Sequence, residues 1–194
     1  KESLEEINGI SETIPATNFR ITDDELGQGT AKEKFRANIM AIQLLKKCED
    51  ENRNATPEEQ EVLSRYVGWG GIPQAFEERN SAWAEEYTQL KGVLTSEEYS
   101  AARASTLNAF YTSPTVIKAM YEALDNMGLK QGNILEPSCG VGNFMGLLPE
   151  SMSATNMYGV ELDPVSGQNS FTRRIGLQYR DLRKPVTRTA FLTA

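Results

Sequence analysis

The feature that most constrains the fold is a glycine-rich turn between two short apolar strand patterns. A strand pattern ends at residues 133–136 and runs into the turn at residues 137–142. A helix follows from about Asn143 to Leu148, and residues 157–161 form the second strand pattern. Strand, turn, helix and strand in this order predict parallel pairing through a crossover connection. The sequence therefore predicts the opening of an α/β sheet.

A helix is predicted just before the first strand. Pro114 suits a first helical position, and Gly128 suits the residue that ends a helix. Apolar residues recur at helical spacing between them, and we expect them to form one buried face. The expected face consists of Val116, Ile117, Met120, Leu124 and Met127.

The first part of the chain divides into an arm and a helical region. Residues 1–29 are polar with several turn formers, which predicts an extended or loosely docked arm. Residues 30–107 carry capping boxes, in which a threonine precedes a glutamate by three residues. These boxes begin at Thr30, Thr56 and Thr95. A helical stripe after the first box predicts core positions for Phe35, Ile39, Ile42, Leu45 and Cys48.

A second glycine cluster surrounds Trp69 within the helical region. Gly68, Gly70 and Gly71 allow a tight reversal of the chain. Trp69 has two interpretations: it fills the core of a helix–loop–helix unit, or it meets a base or partner at the surface.

Composition excludes several classes of function. The chain of 194 residues has no histidine, which removes Ser-His-Asp and Cys-His catalysis and imidazole zinc sites. Its two cysteines, Cys48 and Cys139, do not form a disulfide framework or a metal knuckle. Without a general base we do not expect Cys139 to be a nucleophile. The acidic N-terminus does not resemble a signal peptide, and no apolar run reaches membrane length, so we expect no membrane contacts. Because the two cysteines form no disulfide framework, we expect a reducing, cytoplasmic location.

Charge is distributed unevenly along the chain. The formal net charge is −7, whereas stand-alone DNA-binding domains are usually basic. Residues 168–194 are basic by contrast. We hypothesise that this tail is read out of frame; the alternative is a native basic tail that contacts nucleic acid.

The turn and the second strand together indicate a nucleoside ligand. Glu161 follows Gly140 by 21 residues, and a carboxylate there can accept hydrogen bonds from both ribose hydroxyls. A P-loop is excluded because no Gly-Lys-Ser/Thr is present. Met145 occupies the third glycine position of the dinucleotide fingerprint, which weakens that alternative. Glu136 would repel a phosphate but suits a cation such as S-adenosylmethionine, which carries a sulfonium and an α-ammonium group.

Three segments resemble motifs of amino-group DNA methyltransferases, particularly N6-adenine enzymes. Residues 134–144 resemble the first cofactor motif, residues 158–164 the second, and residues 110–114 the motif that precedes the sheet. The resemblance implies that residues 108–167 begin a Rossmann-like methyltransferase domain with S-adenosylmethionine as cofactor. The implied cofactor-binding residues are Phe110, Tyr111, Thr112, Glu136, Ser138, Gly140, Gly142, Asn143, Phe144, Glu161, Leu162 and Asp163.

The resemblance also implies roles for the methionine half of the cofactor. Gly140 and Gly142 would line the methionine moiety. Residues 110–112 would cover its end, and Glu136 would face the ammonium group directly or through water.

The nucleoside half would involve the residues that end the second strand. Glu161 would hold the ribose, and Leu162 and Asp163 would lie near the adenine. Asp163 has an alternative interpretation as a helix N-cap before Pro164.

The N-terminal segments resemble another group of proteins. Residues 18–24 and 65–71 are similar to the leader of very large methylase–helicase proteins of bacterial conjugative elements and phages. This resemblance implies a helicase domain in the same polypeptide, DNA contacts outside this chain, and a place in DNA methylation or restriction–modification.

A catalytic motif is missing from the chain. The family supplies an Asn/Asp-Pro-Pro-aromatic motif that binds the target amine and stacks on the flipped base. This chain has no Pro-Pro pair, so we expect no catalytic residues and an inactive fragment that binds cofactor weakly at most. Because later strands are missing, we also expect self-association through the unpaired edge of the first strand.

Two other functions stay open at this point. One is a non-catalytic module that docks to DNA or helicase with a methyltransferase-like fold. The other is an NAD-dependent oxidoreductase.

Overall fold

A computed structural model describes residues 19–161 together with residues 163, 165 and 166. The interpretations of residues 1–18, of Leu162 and of the basic tail lie outside the described residues. None of the helices in the described part is both long enough and apolar enough to cross a bilayer. The described α-helices and strands, in chain order, are α1 (Ala31–Asp50), α2 (Pro57–Ser64), α3 (Ala84–Val93), α4 (Ser96–Ser105), α5 (Pro114–Asn126), β1 (Asn133–Glu136), α6 (Asn143–Gly146) and β2 (Asn156–Gly159).

Helices α1, α2 and α4 each begin at a capping box, as predicted. At α1 the Thr30 side chain accepts a hydrogen bond from the Glu33 N–H, and the Glu33 carboxylate accepts one from the Thr30 N–H at 2.8 Å. The same reciprocal pairs open the helices that follow Thr56 and Thr95. Each box satisfies two backbone donors that a helix N-terminus otherwise leaves free.

Trp69 lies in the core of the helical region, which confirms the first of its two interpretations. It is 1% exposed, and its ring meets Phe76 edge-on at a centroid distance of 5.4 Å. Phe35 and Tyr66 complete the aromatic centre around it. Cys48 is buried in the same cluster, as expected for a small apolar core residue.

The helical region and the chain after residue 108 share this core. Val141, from the glycine-rich turn, and Val165 are buried among the residues of α1 and α2, and Tyr111 packs against the same cluster. The turn is therefore anchored in the helical region and not only in the sheet.

Helix α5 ends as predicted but packs differently. Gly128 follows it with a φ of +90°, and its N–H bonds the Asp125 carbonyl. Ile117 and Leu124 face the protein interior with Tyr121. The prediction of a buried position is wrong for the other three residues, whose side chains point to solvent and are 48–75% exposed. The exposed members are Val116, Met120 and Met127.

Strands β1 and β2 pair in parallel, as the sequence predicts. Ile134 lies beside Met157 and Leu135 beside Tyr158. The Ile134–Met157 face packs against α6 residues, whereas Leu135, on the other face, is 61% exposed. The second strand begins one residue earlier than expected and ends at Gly159, and α6 is shorter than expected. Within the described residues β1 has no neighbour on its other edge.

The described end of the N-terminal arm is docked against both halves of the chain. The Ile21 N–H donates to the Gly146 carbonyl at 2.9 Å, and the Ile21 side chain is buried beside α5. Asp23 forms an ion pair of 2.6 Å with Arg65 at the end of α2. The arm thereby joins the end of α6 to the helical region.

Candidate nucleoside-binding site

The glycine-rich turn continues the ladder between the two strands and then reverses. The Val160 N–H bonds the Glu136 carbonyl, and the Cys139 N–H bonds the Val160 carbonyl, both at 3.0 Å. Gly140 and Gly142 then adopt φ values of +53° and +80°. Other residues pay a steric penalty in this left-handed region, so both glycines are required by the turn itself.

Glu161 meets the turn directly. One carboxylate oxygen accepts the Gly140 N–H at 2.7 Å, and the other accepts the Asp163 N–H at 2.8 Å. These two hydrogen bonds fix the carboxylate against the turn. The structure thus brings together the two positions that the sequence relates only by spacing.

Asp163 acts as a cap for the residues that follow it. One of its oxygens accepts both the backbone N–H of Ser166, at 2.7 Å, and the Ser166 hydroxyl, at 2.6 Å. A side-chain acceptor bonded to the N–H three residues on is N-cap geometry. This contact supports the N-cap interpretation of Asp163.

Tyr111 packs against the turn at Gly140. A methyl group on Gly140 would lie 2.8 Å from its ring, and one on Gly68 would lie 3.2 Å from the ring. The Ser166 hydroxyl donates to Asp163, so the Tyr111 hydroxyl donates to Ser166, at 2.7 Å. Burial raises the pKa of this phenol well above its ordinary value, despite the opposing hydrogen bond. Tyr111 therefore stays neutral and is a hydrogen-bond donor.

These contacts form a closed ring around the turn. Gly140 bonds Glu161, Glu161 bonds the Asp163 backbone, Asp163 bonds Ser166, and Ser166 bonds Tyr111, which packs back onto Gly140. A planar ligand that enters over Gly140 must displace the tyrosine ring or lie beside it.

Phe110 and Thr112 are separated from this ring of contacts. Both side chains are exposed, Phe110 at 67%. They line a cleft of about 360 Å³ that Tyr111 and Asn143 also line. The loop Gly68–Gly71, the glycine loop, borders the same cleft. Of the predicted segment 110–112, only Tyr111 reaches the turn.

Asn143 is the predicted site residue whose side chain lacks a hydrogen bond. It is 8% exposed, and its side-chain oxygen is buried without a hydrogen-bond partner. A buried acceptor without a donor is costly, so a ligand N–H or O–H at this position would be stabilising.

Glu136 ends β1 at the same side as the turn. Burial raises the pKa of its carboxyl, and a hydrogen bond from the Ser138 backbone opposes that shift. A partly desolvated carboxylate is stabilised by a cation placed nearby. The Ser138 side chain is exposed.

The remaining predicted positions have structural roles. Phe144 packs between the two smaller core clusters, with its ring 6.2 Å from that of Tyr121. Cys139 is buried, and burial together with Glu161 raises the pKa of its thiol to about 12. This thiol is protonated at neutral pH, as expected for a residue that is not a nucleophile.

The sequence did not reveal the contribution of the glycine loop. Its closely spaced glycines indicate that another part of the protein packs closely on this backbone, but they do not indicate which part. The structure identifies the neighbours as Tyr111 at Gly68 and the Ala109 carbonyl at Gly70, where a methyl group would lie 2.5 Å from the oxygen.

Comparison with known proteins adds no relatives to this description. No family model matches the chain, and neither the curated proteins nor the solved structures provide a match. Among the described residues no cluster of His, Cys, Asp or Glu has the size of a metal site.

Proposed function

We propose that this chain binds S-adenosylmethionine and forms the cofactor-binding N-terminal part of a DNA methyltransferase acting on the N6 amine of adenine. The observation that carries the proposal is the 2.7 Å hydrogen bond from the Gly140 N–H to the Glu161 carboxylate. It joins the turn after β1 to the acid after β2. In open α/β sheets, ligands bind at these carboxyl ends of parallel strands.

Charge at the turn favours a cationic nucleoside over a phosphate ligand. Glu136 and Glu161 both act electrostatically on Cys139, the residue before Gly140, and Glu161 also accepts the Gly140 N–H. A phosphate would meet both carboxylates, whereas a sulfonium and an ammonium group would be attracted to them. The raised pKa of Glu136 is consistent with a site that gains from an added positive charge.

The packing of α6 disfavours the dinucleotide alternative. In the dinucleotide fingerprint the third glycine allows close packing of helix and strand. Here that position holds Met145, whose buried side chain fills the cluster with Cys139 and Met157. NAD binding would also require a pyrophosphate beside Glu136.

The proposed reaction needs no covalent enzyme intermediate. The adenine amine attacks the methyl carbon, the N–C bond forms as the C–S bond breaks, S-adenosylhomocysteine leaves, and the amine loses one proton to solvent. Positioning and electrostatics supply the rate enhancement. Because the sequence has no Pro-Pro pair, the groups that bind the amine and stack on the base belong to further chain of the parent protein. DNA contacts, a helicase domain and a cytoplasmic location are parts of the same proposal.

One observation favours the non-catalytic docking module instead. Tyr111 already packs on Gly140, and Glu161 already accepts two backbone N–H groups. A crevice filled by its own side chains is what a module that has lost its ligand would have.

Calorimetry with S-adenosylmethionine and NAD separates these functions. The proposal expects S-adenosylmethionine to bind and NAD to bind more weakly or not at all. A chain that unfolds cooperatively on heating but binds neither ligand would favour the docking module. Tighter binding of NAD would favour the oxidoreductase.

A further inference from the structure

A lysine of the helical region lines the cleft beside Asn143. Lys34, on α1, is half-buried there and has no carboxylate partner among the described residues. Most other lysines of the described part form an ion pair with a carboxylate. The paired lysines are Lys32, Lys46, Lys118 and Lys130.

Helix α1 fixes Lys34 next to the glycine loop. Asn38 lies one turn further along α1, on the same face. The Asn38 amide donates to the Gly68 carbonyl at 2.7 Å, and its oxygen accepts the Val67 N–H at 2.8 Å. Asn38 is fully buried, so this two-point contact locks the loop onto the helix face that carries Lys34.

The cleft adjoins the turn through two shared residues. Tyr111 lines the cleft and also packs on Gly140, and Asn143 lines the cleft and directly follows Gly142. A ligand whose nucleoside is held by Glu161 and which lies beside the Tyr111 ring can therefore extend into the cleft. The cleft volume of about 360 Å³ lies within the range of small-molecule sites.

We propose that the cleft receives the amino-acid end of S-adenosylmethionine, with Lys34 binding its carboxylate and the Asn143 oxygen accepting a hydrogen bond from its ammonium group. This inference rests on the proposed function, adds a residue of the helical region to the site, and assigns the ammonium group to Asn143 in place of Glu136, which does not line the cleft. Both residues line the cleft, and their unpartnered groups call for an anion and an N–H donor. The amino-acid end of the cofactor supplies both, and charge-assisted hydrogen bonds of this kind are the strong ones.

A DNA phosphate is the main competitor for Lys34. It would pair with the ammonium group but has no donor for the buried Asn143 oxygen. The amino-acid end satisfies both groups, and for that reason we favour it.

Calorimetry on the full chain with two ligands tests the assignment. One ligand is S-adenosylmethionine; the other is 5′-methylthioadenosine, which has the nucleoside but not the amino-acid end. The variants are Lys34→Met, Lys34→Arg and, as a matched control, Lys47→Met, which changes an exposed lysine of the same helix. Thermal unfolding of each variant checks that the fold is kept.

Lys34→Met should weaken S-adenosylmethionine binding about tenfold, because a hydrogen bond between charged groups is lost. It should leave 5′-methylthioadenosine binding within about twofold, Lys34→Arg should restore part of the loss, and Lys47→Met should change neither affinity. Equal losses for both ligands, or no loss for either, would overturn the role of Lys34 while leaving the proposed function in place. A loss of DNA affinity alone would reassign Lys34 to phosphate. If the unaltered chain binds neither ligand, the proposed function fails as well.

Discussion

Tyr111 packs directly on Gly140, so closely that a methyl group on the glycine would lie 2.8 Å from Cε1 of the ring. The other side of the same ring meets Gly68, which belongs to the helical region. One aromatic side chain therefore lies between two glycines from distant parts of the chain. The glycine-rich turn and the helical region are coupled at this point.

The first prediction concerns Gly140→Ala. The substitution places a side chain at a φ of +53° and forces it against Tyr111, so we expect a loss of about 2–4 kcal/mol in the free energy of unfolding. Urea denaturation measures it. Gly71→Ala is the control, because a methyl group there meets nothing within 4 Å and no positive φ opposes it. A Gly140→Ala variant as stable as Gly71→Ala would show that Tyr111 does not pack on the turn.

The second prediction concerns Asn38→Leu. The variant leaves the Val67 N–H and the Gly68 carbonyl without their buried partner, and we expect a loss of about 2–4 kcal/mol in the free energy of unfolding. Gln43→Leu makes the same chemical change at an exposed position of α1 and should stay within about 0.5 kcal/mol. Equal effects of the two substitutions would mean that the glycine loop does not depend on Asn38.

Elements whose cause is local could be predicted from the sequence. The capping boxes depend on two residues three positions apart, and they form as predicted. The turn at Gly140 and Gly142 requires positive φ values whatever surrounds it, and the parallel order of β1 and β2 follows from the connection between them.

Contacts between distant segments could not be predicted in the same way. Tyr111 and Ser166 lie 55 residues apart, and no local pattern relates either to Gly68. Helix α5 shows the same limit: Met120 and Ile117 are both apolar, and only the packing of neighbouring segments decides that Ile117 is buried. The position of Lys34 beside the cleft is equally invisible to periodicity.

The third prediction concerns alkaline pH. The pKa of the Cys139 thiol is raised to about 12 in the folded chain, from an ordinary value of 9.0, chiefly by burial. Above pH 9 the unfolded chain releases this proton and the folded chain keeps it. The free energy of unfolding should therefore fall as pH rises from about 9 to about 12.

Urea denaturation across this pH range measures the effect. Tyr121, with a pKa raised by burial to about 12, contributes in the same direction, so Cys139→Ala should flatten the decline without abolishing it. A decline unchanged in Cys139→Ala would show that this thiol titrates alike in both states.

The fourth prediction concerns Glu161 and the cofactor. Glu161→Ala should weaken S-adenosylmethionine binding at least tenfold, or about 1.4 kcal/mol, because the acceptor for the ribose hydroxyls is lost. Calorimetry measures it, and Glu122→Ala, at an exposed position of α5, is the control. The variant also frees the Gly140 and Asp163 N–H groups, so thermal unfolding must accompany the measurement. An unchanged affinity would remove Glu161 from the site.

The fifth prediction concerns self-association. Within the described residues one edge of β1 is unpaired, and Leu135 on its open face is 61% exposed, although parallel strands are normally covered on both faces. We expect a second copy of the chain to cover this surface, giving a mass that rises with concentration in light scattering.

Leu135→Lys should shift the population toward monomer, because a charge on an edge strand opposes pairing. Thr115→Lys, which adds the same charge at an exposed position of α5, should leave the mass unchanged. A mass that stays monomeric at every concentration would mean that the strand edge is not a contact surface in solution.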